Sequence, residues 1–386
     1  MPRLTGLSFA HPVVPYGDRV ALSFDAGTLR PLHRRLRDAG HEAFLLPTCL
    51  RVEIVWAGQP DTSAAVLTAI YGDDSMSGRG VLRTDGDLFL HMCRVAAGLA
   101  SPAIGEPEVF SQFRQGVSAF REGESEIGDL AKTLVAATAI GRDVRRHFGG
   151  EVGSMASVAA ATAGSSERVA ILGAGAVARA TAGLLPADAV MVYSRRPGTV
   201  AGHDTQPWEQ SLQALEEFPA LISTVPGGAQ LFPEREISAA LARRTEPLLL
   251  IDLGMPPGFD RHRDHPAIFH MGIDDIASSV RSRPRPDLEE LVAAEAAAAW
   301  ARLDSSDRVG MVIAAIVDQA EHAVDEEVRR FSPRLPGAPD PGAVMQQLAH
   351  TVVRRVLHQP ISYAGSSASD SEALRVLAEA FGVTDE

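Results

Sequence analysis

The sequence predicts a multidomain α/β protein, with an α+β N-terminal domain, a central domain built on a parallel sheet and an all-α C-terminal domain. Three observations support this class. First, 386 residues exceed the size at which a single hydrophobic core keeps growing. Second, short apolar segments alternate with helical segments in the middle of the chain. Third, strand signals vanish after about Asp274, where alanine-, leucine- and glutamate-rich stretches with helical periodicity begin.

The N-terminal domain is predicted to span residues 1–150. Strand-like runs lie at 42–46 and 52–56, and helical runs follow them. The cysteines Cys49 and Cys93 are far apart and form no CxxC pair, so neither a disulfide framework nor a thiolate zinc site is expected. Free thiols, no targeting segment and no apolar run of about 18 residues together predict a cytoplasmic protein without a membrane span or a metal.

The central domain, predicted for residues 151–275, begins as a nucleotide-binding unit does. The apolar segment Val169–Leu172 runs into a small-residue turn and then a helix to about Leu185. The turn has the sequence GAGAVA and consists of Gly173, Ala174, Gly175, Ala176, Val177 and Ala178. Further strand candidates lie at 189–193, 220–224 and 248–252. Strands that alternate with helices predict a parallel, doubly wound sheet of Rossmann type.

The turn also predicts a cofactor. It fits the GxGxxA fingerprint, in which Gly173 and Gly175 would allow a tight turn and a close approach to a pyrophosphate. At the end of the second strand, where an NAD enzyme places Asp or Glu, the chain has Ser194, Arg195 and Arg196. Guanidinium groups bind a 2′-phosphate that a carboxylate would repel, so NADPH is the predicted cofactor. The alternatives are a turn that only packs tightly and arginines that are merely exposed.

The C-terminal domain, predicted for residues 276–386, should contain a connecting helix followed by further helices. Pro284 and Pro286 are expected to end one helix and start another, because proline is tolerated in the first turn of a helix but not inside it. Residues 333–341 contain four prolines and predict a loop between helices. Residues 352–357 form an apolar stripe with arginines on the other face.

The charge balance is unfavourable for broad binding to nucleic acid. Lys and Arg number 36 against 49 Asp and Glu, which gives a formal charge of −13, and binding to a phosphate backbone depends on basic residues. A DNA partner is not expected, and any RNA contact should be local. Arginine-rich pieces at 142–146 and at Arg354 and Arg355 are candidates; the alternative is two solvated helix faces.

Cys49 is the candidate nucleophile. It lies in the segment PTCLRVE, a polar turn with an adjacent cation between two strand-like runs. Positive charge lowers the pKa of a thiol and raises its thiolate fraction, so an activated sulfur is expected. Cys93 lacks such neighbours and is expected to be a small buried hydrophobe.

Together these motifs resemble those of glutamyl-tRNA reductase, the first enzyme of the five-carbon route to tetrapyrroles. The resemblance covers nearly the whole chain. In the family's order, its parts are TCLRVE at 48–53, HMCRVAAGLASPAIGEPE at 91–108, the GAGxxA turn, LIDL at 250–253 ahead of Pro256, IDD at 273–275, and LHQP at 357–360.

The resemblance implies a two-step reaction. A Cys49 thiolate attacks the activated ester of an aminoacyl-tRNA, which releases the tRNA and leaves a thioester. NADPH then reduces the acyl carbon to an aldehyde, which is glutamate-1-semialdehyde in the family's reaction. The resemblance further implies a C-terminal dimerisation domain, a homodimer and an aminotransferase that accepts the aldehyde. The alternative for the stripe at 352–357 is packing within one chain.

The resemblance also implies the site residues of the N-terminal catalytic domain. The positions that contact substrate in the family are Thr48, Leu50, Arg51, Ser101, Glu106, Pro107, Glu108 and Gln112. Arg51 is expected to pair with a carboxylate of the substrate. His91 is expected to act as a proton donor or polariser beside the reacting carbonyl; the alternative is a histidine satisfied on a helix face.

Four positions depart from the family's pattern. Leu50 replaces an asparagine, Ala100 an aspartate, Glu108 a glutamine and Pro257 an arginine. Unmatched buried polar groups cost on the order of 1 to 3 kcal/mol, so such changes alter which acyl group is accepted. Glutamyl-tRNA is the expected substrate. Three alternatives stay open: a paralogue that reduces another aminoacyl-tRNA, a non-catalytic regulator that binds tRNA or a partner, and a dehydrogenase of a free metabolite.

Overall fold

The computed structural model describes residues 3–24, 26–122, 128–149, 154–225, 231–336, 338–366 and 375. The chain divides into two compact units, residues 1–300 and residues 301–386. The first unit contains two β-sheets and the helices that cover them, and the described residues of the second unit are mainly helical. The prediction of a multidomain α/β protein with a helical C-terminal region is therefore confirmed.

The strands fall mostly where the apolar segments predict them. The strands of the described residues are β1 (Leu4–Ala10), β2 (Ala43–Pro47), β3 (Arg51–Ala57), β4 (Val81–Thr84), β5 (Val169–Leu172), β6 (Val190–Ser194), β7 (Thr199–Val200), β8 (His203–Pro207), β9 (Ala220–Ser223), β10 (Leu248–Asp252) and β11 (Ile268–Gly272). The predicted strands correspond to β2, β3, β5, β6, β9 and β10. The other five are short or mix polar and small residues, so they carry no clear apolar pattern.

The helices agree with the predicted proline breaks. They are α1 (Tyr16–Leu22), α2 (Leu29–Asp38), α3 (Ser63–Tyr71), α4 (Asp85–Ala97), α5 (Pro107–Arg121), α6 (Asp129–Arg145), α7 (Met155–Ala163), α8 (Ala176–Ala182), α9 (Ser211–Glu217), α10 (Glu234–Ala242), α11 (Ile273–Ser279), α12 (Pro286–Phe331) and α13 (Pro341–Ser366). Proline occupies the first turn of α12, and that helix is continuous to Phe331. No described helix combines the length and apolar character that crossing a membrane requires.

The first sheet is antiparallel, with the strand order β2-β3-β1-β4. Helix α5 packs on β2, and α4 packs on β1. Strands β2 and β3 pair through Pro47 and Val52, so the chain reverses direction over the short segment between them. This reversal places Cys49 at the end of the sheet rather than within a strand.

The second sheet has the strand order β11-β10-β9-β5-β6-β8-β7 and is parallel except for the β7–β8 pair. Strands β5 and β9 are buried along their whole length, as expected when helices cover both faces of a parallel sheet. The strand order reverses between β5 and β9. Ligands of doubly wound sheets bind in the crevice at the carboxyl ends of such strands.

The predicted domain boundaries at 150 and 275 remain a proposal. The first sheet and helices α4 to α6 precede residue 150, and the second sheet lies between residues 169 and 272. The first compact unit nevertheless extends to Trp300, because the start of α12 packs on α4. The rings of Phe89 and Trp300 are 5.7 Å apart, and Arg94 pairs with Glu289 at 2.9 Å.

The second compact unit carries exposed apolar side chains on both of its long helices. Arg355 of α13 pairs with Glu326 and with Glu327 of α12, the latter at 3.0 Å. The exposed apolar residues are Val324, Val328, Met345, Val353, Val356, Ile361 and Tyr363. The predicted stripe at 352–357 is thus at least partly exposed in the single chain.

Candidate active site

A cleft of about 740 Å³ opens between the two sheets of the first unit. Residues from both sheets line it, so groups from the two halves of this unit meet in one cavity. The side of the first sheet contributes Thr48, Cys49, Glu106, Glu108 and Gln112, and the side of the second sheet contributes Val177, Arg195, Thr224, Gly254 and Pro256.

Cys49 is the middle residue of the three-residue turn between β2 and β3. The backbone N–H of Thr48 donates to the carbonyl of Arg51 at 2.8 Å and closes the turn. The Thr48 hydroxyl oxygen accepts from the backbone N–H groups of Leu50 and Arg51 at 3.3 and 3.1 Å. The carbonyl of Leu50 in turn accepts from the backbone N–H of His11 at 2.9 Å. These contacts stabilise the turn that presents the thiol to the cleft.

Arg19 connects this turn to the second sheet. Its side chain is 1% exposed; Nη1 donates to the Cys49 carbonyl at 3.2 Å, and Nη2 pairs with Asp274 at the start of α11. Asp274 also lies 3.5 Å from Nδ1 of His11. Because the guanidinium is buried, leaving it without this partner would be costly, so the contact stabilises the position of Cys49 relative to the second sheet. Neither Arg19 nor His11 belongs to a recognisable motif.

The Cys49 thiol is not activated by its neighbours. Burial, together with the charge of Glu106, raises the pKa of the thiol to about 12, whereas Arg19 and Arg51 lower it by less. The adjacent cation thus lowers the pKa as predicted, but burial and Glu106 outweigh it, so the net pKa of the thiol is raised. The guanidinium of Arg51 is already bound by Glu53, while the thiol loses most of its hydration and stays only partly exposed. The sulfur is protonated at neutral pH and needs a proton acceptor.

Two carboxylates share the cleft with the thiol. Glu106 is the N-cap residue of α5, and Glu108 lies in the first turn of that helix. Glu106 is 4% exposed, and its Oε1 accepts from the backbone N–H of Met155 at 3.4 Å. Burial, reinforced by the charge of Glu108, raises the pKa of Glu106 to about 7. One oxygen of Glu108 is buried without a hydrogen-bond partner among the described residues.

A buried polar network surrounds Glu53 on β3. Its Oε1 accepts from the Ser8 hydroxyl at 3.0 Å, lies 3.0 Å from Nε2 of His91, and lies 3.4 Å from Nη1 of Arg51. Burial alone would raise the pKa of Glu53, but the contacts with His91, Arg51 and Ser8 outweigh burial and lower it. Glu53 therefore stays ionised and holds Arg51 and His91 in place.

A second pocket, of about 450 Å³, lies at the carboxyl ends of β5 and β6. Gly173 has φ +115°, and a Cβ there would lie 2.5 Å from the Thr224 hydroxyl, so only glycine fits. A Cβ at Gly175 would meet nothing within 4 Å, which leaves the backbone open to a ligand. Ser194, Arg195 and Arg196 line the same pocket. Because Arg195 also lines the main cleft, the two cavities share a wall.

The open backbone at Gly175 and the arginines of the smaller pocket suit the phosphates of a dinucleotide. The other residues of the GAGAVA turn lie in different surroundings. Ala174 lines the smaller pocket, Val177 lines the main cleft, Ala176 is exposed at the start of α8, and Ala178 is buried in the core. The guanidinium of Arg195 lies 5.2 Å from the centre of the Trp208 ring, which positions it at the pocket.

Asp252 anchors the loop that forms part of the second wall. One carboxylate oxygen accepts from the backbone N–H of Gly254 at 3.0 Å, and the other accepts from those of Gly258 and Phe259 at 2.7 and 3.0 Å. Burial raises the pKa of Asp252 to about 6 in spite of these hydrogen bonds. The loop places Gly254 and Pro256 in the cleft. The sequence motif includes Asp252, but nothing in its pattern indicates this role.

The predicted substrate-binding residues separate into two groups. Thr48, Glu106, Glu108 and Gln112 line the cleft together with Cys49. The predicted residues that do not line it are Leu50, Arg51, Ser101, Pro107 and His91.

Each residue of the second group has a local reason for its place. Leu50 is buried in a hydrophobic core shared with the second sheet, and Pro107 is exposed in the first turn of α5. Arg51 donates to the Ala100 carbonyl and lies 3.4 Å from the Ser101 hydroxyl. In this arrangement these residues support the turn rather than contact the cleft.

The arginine-rich segment at 142–146 is only partly a solvated face. Arg145 donates to the carbonyls of Ala97, Gly105 and Glu106 at 3.2, 2.9 and 3.2 Å, and so holds the segment ahead of α5. Arg142 and Arg146 are exposed beside Asp143. A local RNA contact at this segment stays a prediction.

The cleft and the fold are those of an oxidoreductase, with a cysteine-bearing sheet on one side and a parallel sheet with a glycine-rich turn on the other. Comparison with known proteins identifies the family. Residues 7–148 match the model described as glutamyl-tRNAGlu reductase, N-terminal domain, and residues 287–383 match the dimerisation domain of the same enzyme. The chain belongs to the glutamyl-tRNA reductase family, and it is an enzyme of the reductase class.

Individual relatives extend the similarity over the full length. The chain is 26% identical over 384 residues to glutamyl-tRNA reductase of Rubrobacter xylanophilus, covering 92% of this chain and 90% of the relative. Among solved structures, it is similar to glutamyl-tRNA reductase from Methanopyrus kandleri, with a TM-score of 0.50 and 18% identity, over 98% of this chain and 99% of the other. The latter similarity shows a common fold.

Proposed function

We propose that the protein reduces glutamyl-tRNA to glutamate-1-semialdehyde with NADPH, through a thioester on Cys49, and thereby catalyses the first step of the five-carbon route to tetrapyrroles. The observation that carries this proposal is the position of Cys49 in a cleft that Val177, Arg195 and Thr224 of the dinucleotide-binding half also line. A thiol beside a dinucleotide pocket suits acyl transfer followed by reduction.

The first step uses groups of the chain alone. The sulfur of Cys49 attacks the ester carbonyl carbon, a C–S bond forms, and the bond to the terminal ribose oxygen of the tRNA breaks. Thr48, Glu106, Glu108 and Gln112 line the space around the sulfur and are proposed to bind the aminoacyl group. The released tRNA carries the proton that the thiol gives up, and the acyl group stays on the protein as a thioester.

The second step depends on the cofactor. NADPH would be held by Gly173 to Gly175 and by Ser194, Arg195 and Arg196, whose charges match a 2′-phosphate. When bound, it supplies the hydride that converts the acyl carbon to the aldehyde level. The loop that Asp252 anchors covers one side of the cleft and limits access of water to the thioester.

Arg51 and His91 have to be placed differently from the family-based expectation of direct contact. Arg51 is bound by Glu53 and by the Ala100 carbonyl and does not line the cleft, so pairing with a substrate carboxylate requires its side chain to turn toward the cleft. His91 is held by Glu53 and acts on the reaction through the network that positions Arg51. We propose that both support the geometry of the turn until substrate binds.

The exposed apolar side chains of α12 and α13 support a homodimer. The match to the family's dimerisation domain covers both helices, and Val353, Val356 and Ile361 are exposed in the single chain. Burial of such side chains stabilises association. Small-angle scattering should give the mass of two chains, and a monomer mass would contradict this part of the proposal.

The chemistry also bears on the compartment of the protein and on the enzyme that uses its product. A nucleophilic Cys49 must stay reduced, which supports a cytoplasmic location. The product is an α-amino aldehyde, a reactive compound, so an enzyme that transfers an amino group is proposed to consume it.

The test measures both products of the two steps. Purified protein incubated with glutamyl-tRNA and NADPH should give deacylated tRNA, aldehyde and oxidised NADPH, and Cys49→Ser should give no aldehyde. Cys93→Ala is the matched control, because Cys93 is fully buried on α4 and lies outside the cleft lining. Its activity should be close to that of the original protein. An unchanged rate in Cys49→Ser would refute the mechanism.

A second candidate substrate has one specific observation in its favour. Glu108 adds a carboxylate to the cleft, and one of its oxygens lacks a partner among the described residues. Such a group attracts a cation and repels an acidic side chain, which favours an aminoacyl-tRNA other than glutamyl-tRNA. A panel of charged tRNAs decides between the two substrates. If only another aminoacyl-tRNA is reduced, the reaction type holds and the proposed substrate is wrong.

A further inference from the structure

Glu106 lines the cleft and can take up or release a proton. A role in substrate binding alone does not use that property. We propose that the Glu106 carboxylate accepts the proton of the Cys49 thiol as the sulfur attacks the ester, and then donates it to the leaving ribose oxygen. The S–H bond breaks, the C–S bond forms, and the carboxylic acid returns its proton when the C–O bond breaks. The inference rests on the proposed acylation of Cys49 and does not depend on which amino acid is carried.

Position is the first argument. Glu106, the N-cap residue of α5, and Cys49, in the turn between β2 and β3, line the same cleft. One oxygen of Glu106 accepts from the Met155 backbone at 3.4 Å, and no described cation lies within ion-pair distance of the carboxylate. The carboxylate is therefore anchored at one oxygen while the other can take a proton.

The surrounding charges explain why this carboxylate suits the task. Glu108 on the same helix raises the proton affinity of Glu106, Arg51 of β3 lowers it by less, and Arg145 of α6 binds only its backbone carbonyl. Arg195 faces the cleft from the second sheet. The result is a carboxyl group whose pKa of about 7 matches neutral conditions, where a general base works best.

The thiol requires such an acceptor. Burial and the negative charge of Glu106 raise the pKa of Cys49 to about 12, so a preformed thiolate is scarce at neutral pH. Transfer of the proton to Glu106 moves the negative charge onto the sulfur as it is consumed by the ester. His91 is an inferior candidate, because it is held by Glu53 and does not line the cleft.

The competing explanation is purely electrostatic, and it predicts the opposite result for one variant. If Glu106 only opposes thiolate formation, Glu106→Gln lowers the pKa of Cys49 and makes the thiol better at every reaction. If Glu106 is the base, the same change raises the reactivity of the thiolate yet slows acylation. Two readouts on the same protein therefore separate the two roles.

The experiment uses the full-length protein without NADPH. The first readout is the rate at which iodoacetamide alkylates Cys49 at about pH 8, with Cys93→Ala as the background. The second is the burst of p-nitrophenolate when p-nitrophenyl acetate acylates Cys49 at about pH 7. For Glu106→Gln we expect alkylation to be faster by roughly threefold or more and the acylation burst to be slower by roughly 100-fold. Glu295→Gln, an exposed change of equal charge on α12, should alter neither rate.

Several outcomes would overturn the inference. Rates that rise together in Glu106→Gln indicate an electrostatic role, and rates that fall together indicate a structural one. A wild-type protein without a Cys49-dependent burst also refutes it. Glu106→Asp keeps a carboxylate on a shorter side chain and serves if the glutamine variant does not fold; its burst should be slower by about tenfold. If the burst depends on Glu106 while glutamyl-tRNA is inert, only the proposed substrate fails.

Discussion

The charged side chains on and behind the two sides of the cleft are held in different ways. On the cysteine side, Arg19, Arg51 and Glu53 are each no more than 2% exposed and are bound by fixed partners. On the dinucleotide side, Arg195 and Arg196 are exposed. Buried charges preorganise a reacting group, whereas solvated arginines let a cofactor bind and leave. Covalent chemistry and cofactor exchange thus require opposite environments within one cavity.

The largest effect should come from breaking the buried side. Arg19→Ala removes a buried side chain that donates to the Val14 and Cys49 carbonyls and to Asp274, so the free energy of unfolding should fall by about 3 kcal/mol, at roughly 1 kcal/mol for each hydrogen bond. Urea unfolding measures this. The matched control is Arg79→Ala, whose exposed pair with Asp18 at 2.7 Å should contribute less than about 1 kcal/mol. Equal losses in the two variants would show that burial is not what stabilises the turn.

A slightly smaller effect should appear when Glu106 is made neutral. The folded-state pKa of about 7 lies above the ordinary value of 4.5, so the stability linked to this group is present at low pH and is lost as pH rises toward 7. The free energy of unfolding of Glu106→Gln, measured with urea, should therefore exceed that of the original protein by about 2 to 3 kcal/mol at about pH 8, with little gain at about pH 5. A gain of the same size at both pH values would contradict the raised pKa of Glu106.

On the open side, the effect should be on affinity rather than on stability. Replacing both Arg195 and Arg196 by alanine should raise the Kd for NADPH by about 30-fold and leave that for NADH within about twofold, because only NADPH carries the 2′-phosphate. Fluorescence titration measures both values. Arg235→Ala, an exposed change on α10, is the control. An equal loss of affinity for both cofactors would mean that the arginines do not contact the 2′-phosphate.

The smallest effect should follow from restoring the family's glutamine in the cleft. Glu108→Gln removes the charge that helps to raise the pKa of Glu106, so the acid limb of the acylation rate should move to lower pH, by less than about one unit. A pH–rate profile of the p-nitrophenolate burst checks this. A limb that stays in place would mean that Glu108 does not act on Glu106.

The fold was largely predictable because its signals are local. The strand–turn–helix at Gly173 and the start of α12 at Pro286 follow from backbone preferences of a few neighbouring residues. Strand β1 carries no such pattern, since its residues are stabilised by pairing with β3 and β4, which lie far along the chain. Prediction therefore failed where a segment depends on its partner rather than on its own periodicity.

Motif positions predicted several residues of the site, but not the direction in which each side chain points. Motif positions identified Cys49, Glu106, Glu108 and Gln112, which do share a cleft. The same reasoning placed Leu50 among the binding residues, although its side chain lies in the core. Spacing along the chain does not reveal which way a side chain points once two sheets are packed together.

By itself, the sequence determined the order of the domains, the turn that carries Cys49 and the glycine-rich entry to α8, because each follows from short-range backbone geometry. Tertiary structure alone decided the protonation of the sulfur and the pairing of Arg19 with Asp274, which is 255 positions away. Desolvation depends on everything packed around a group, and no local pattern of residues contains that information.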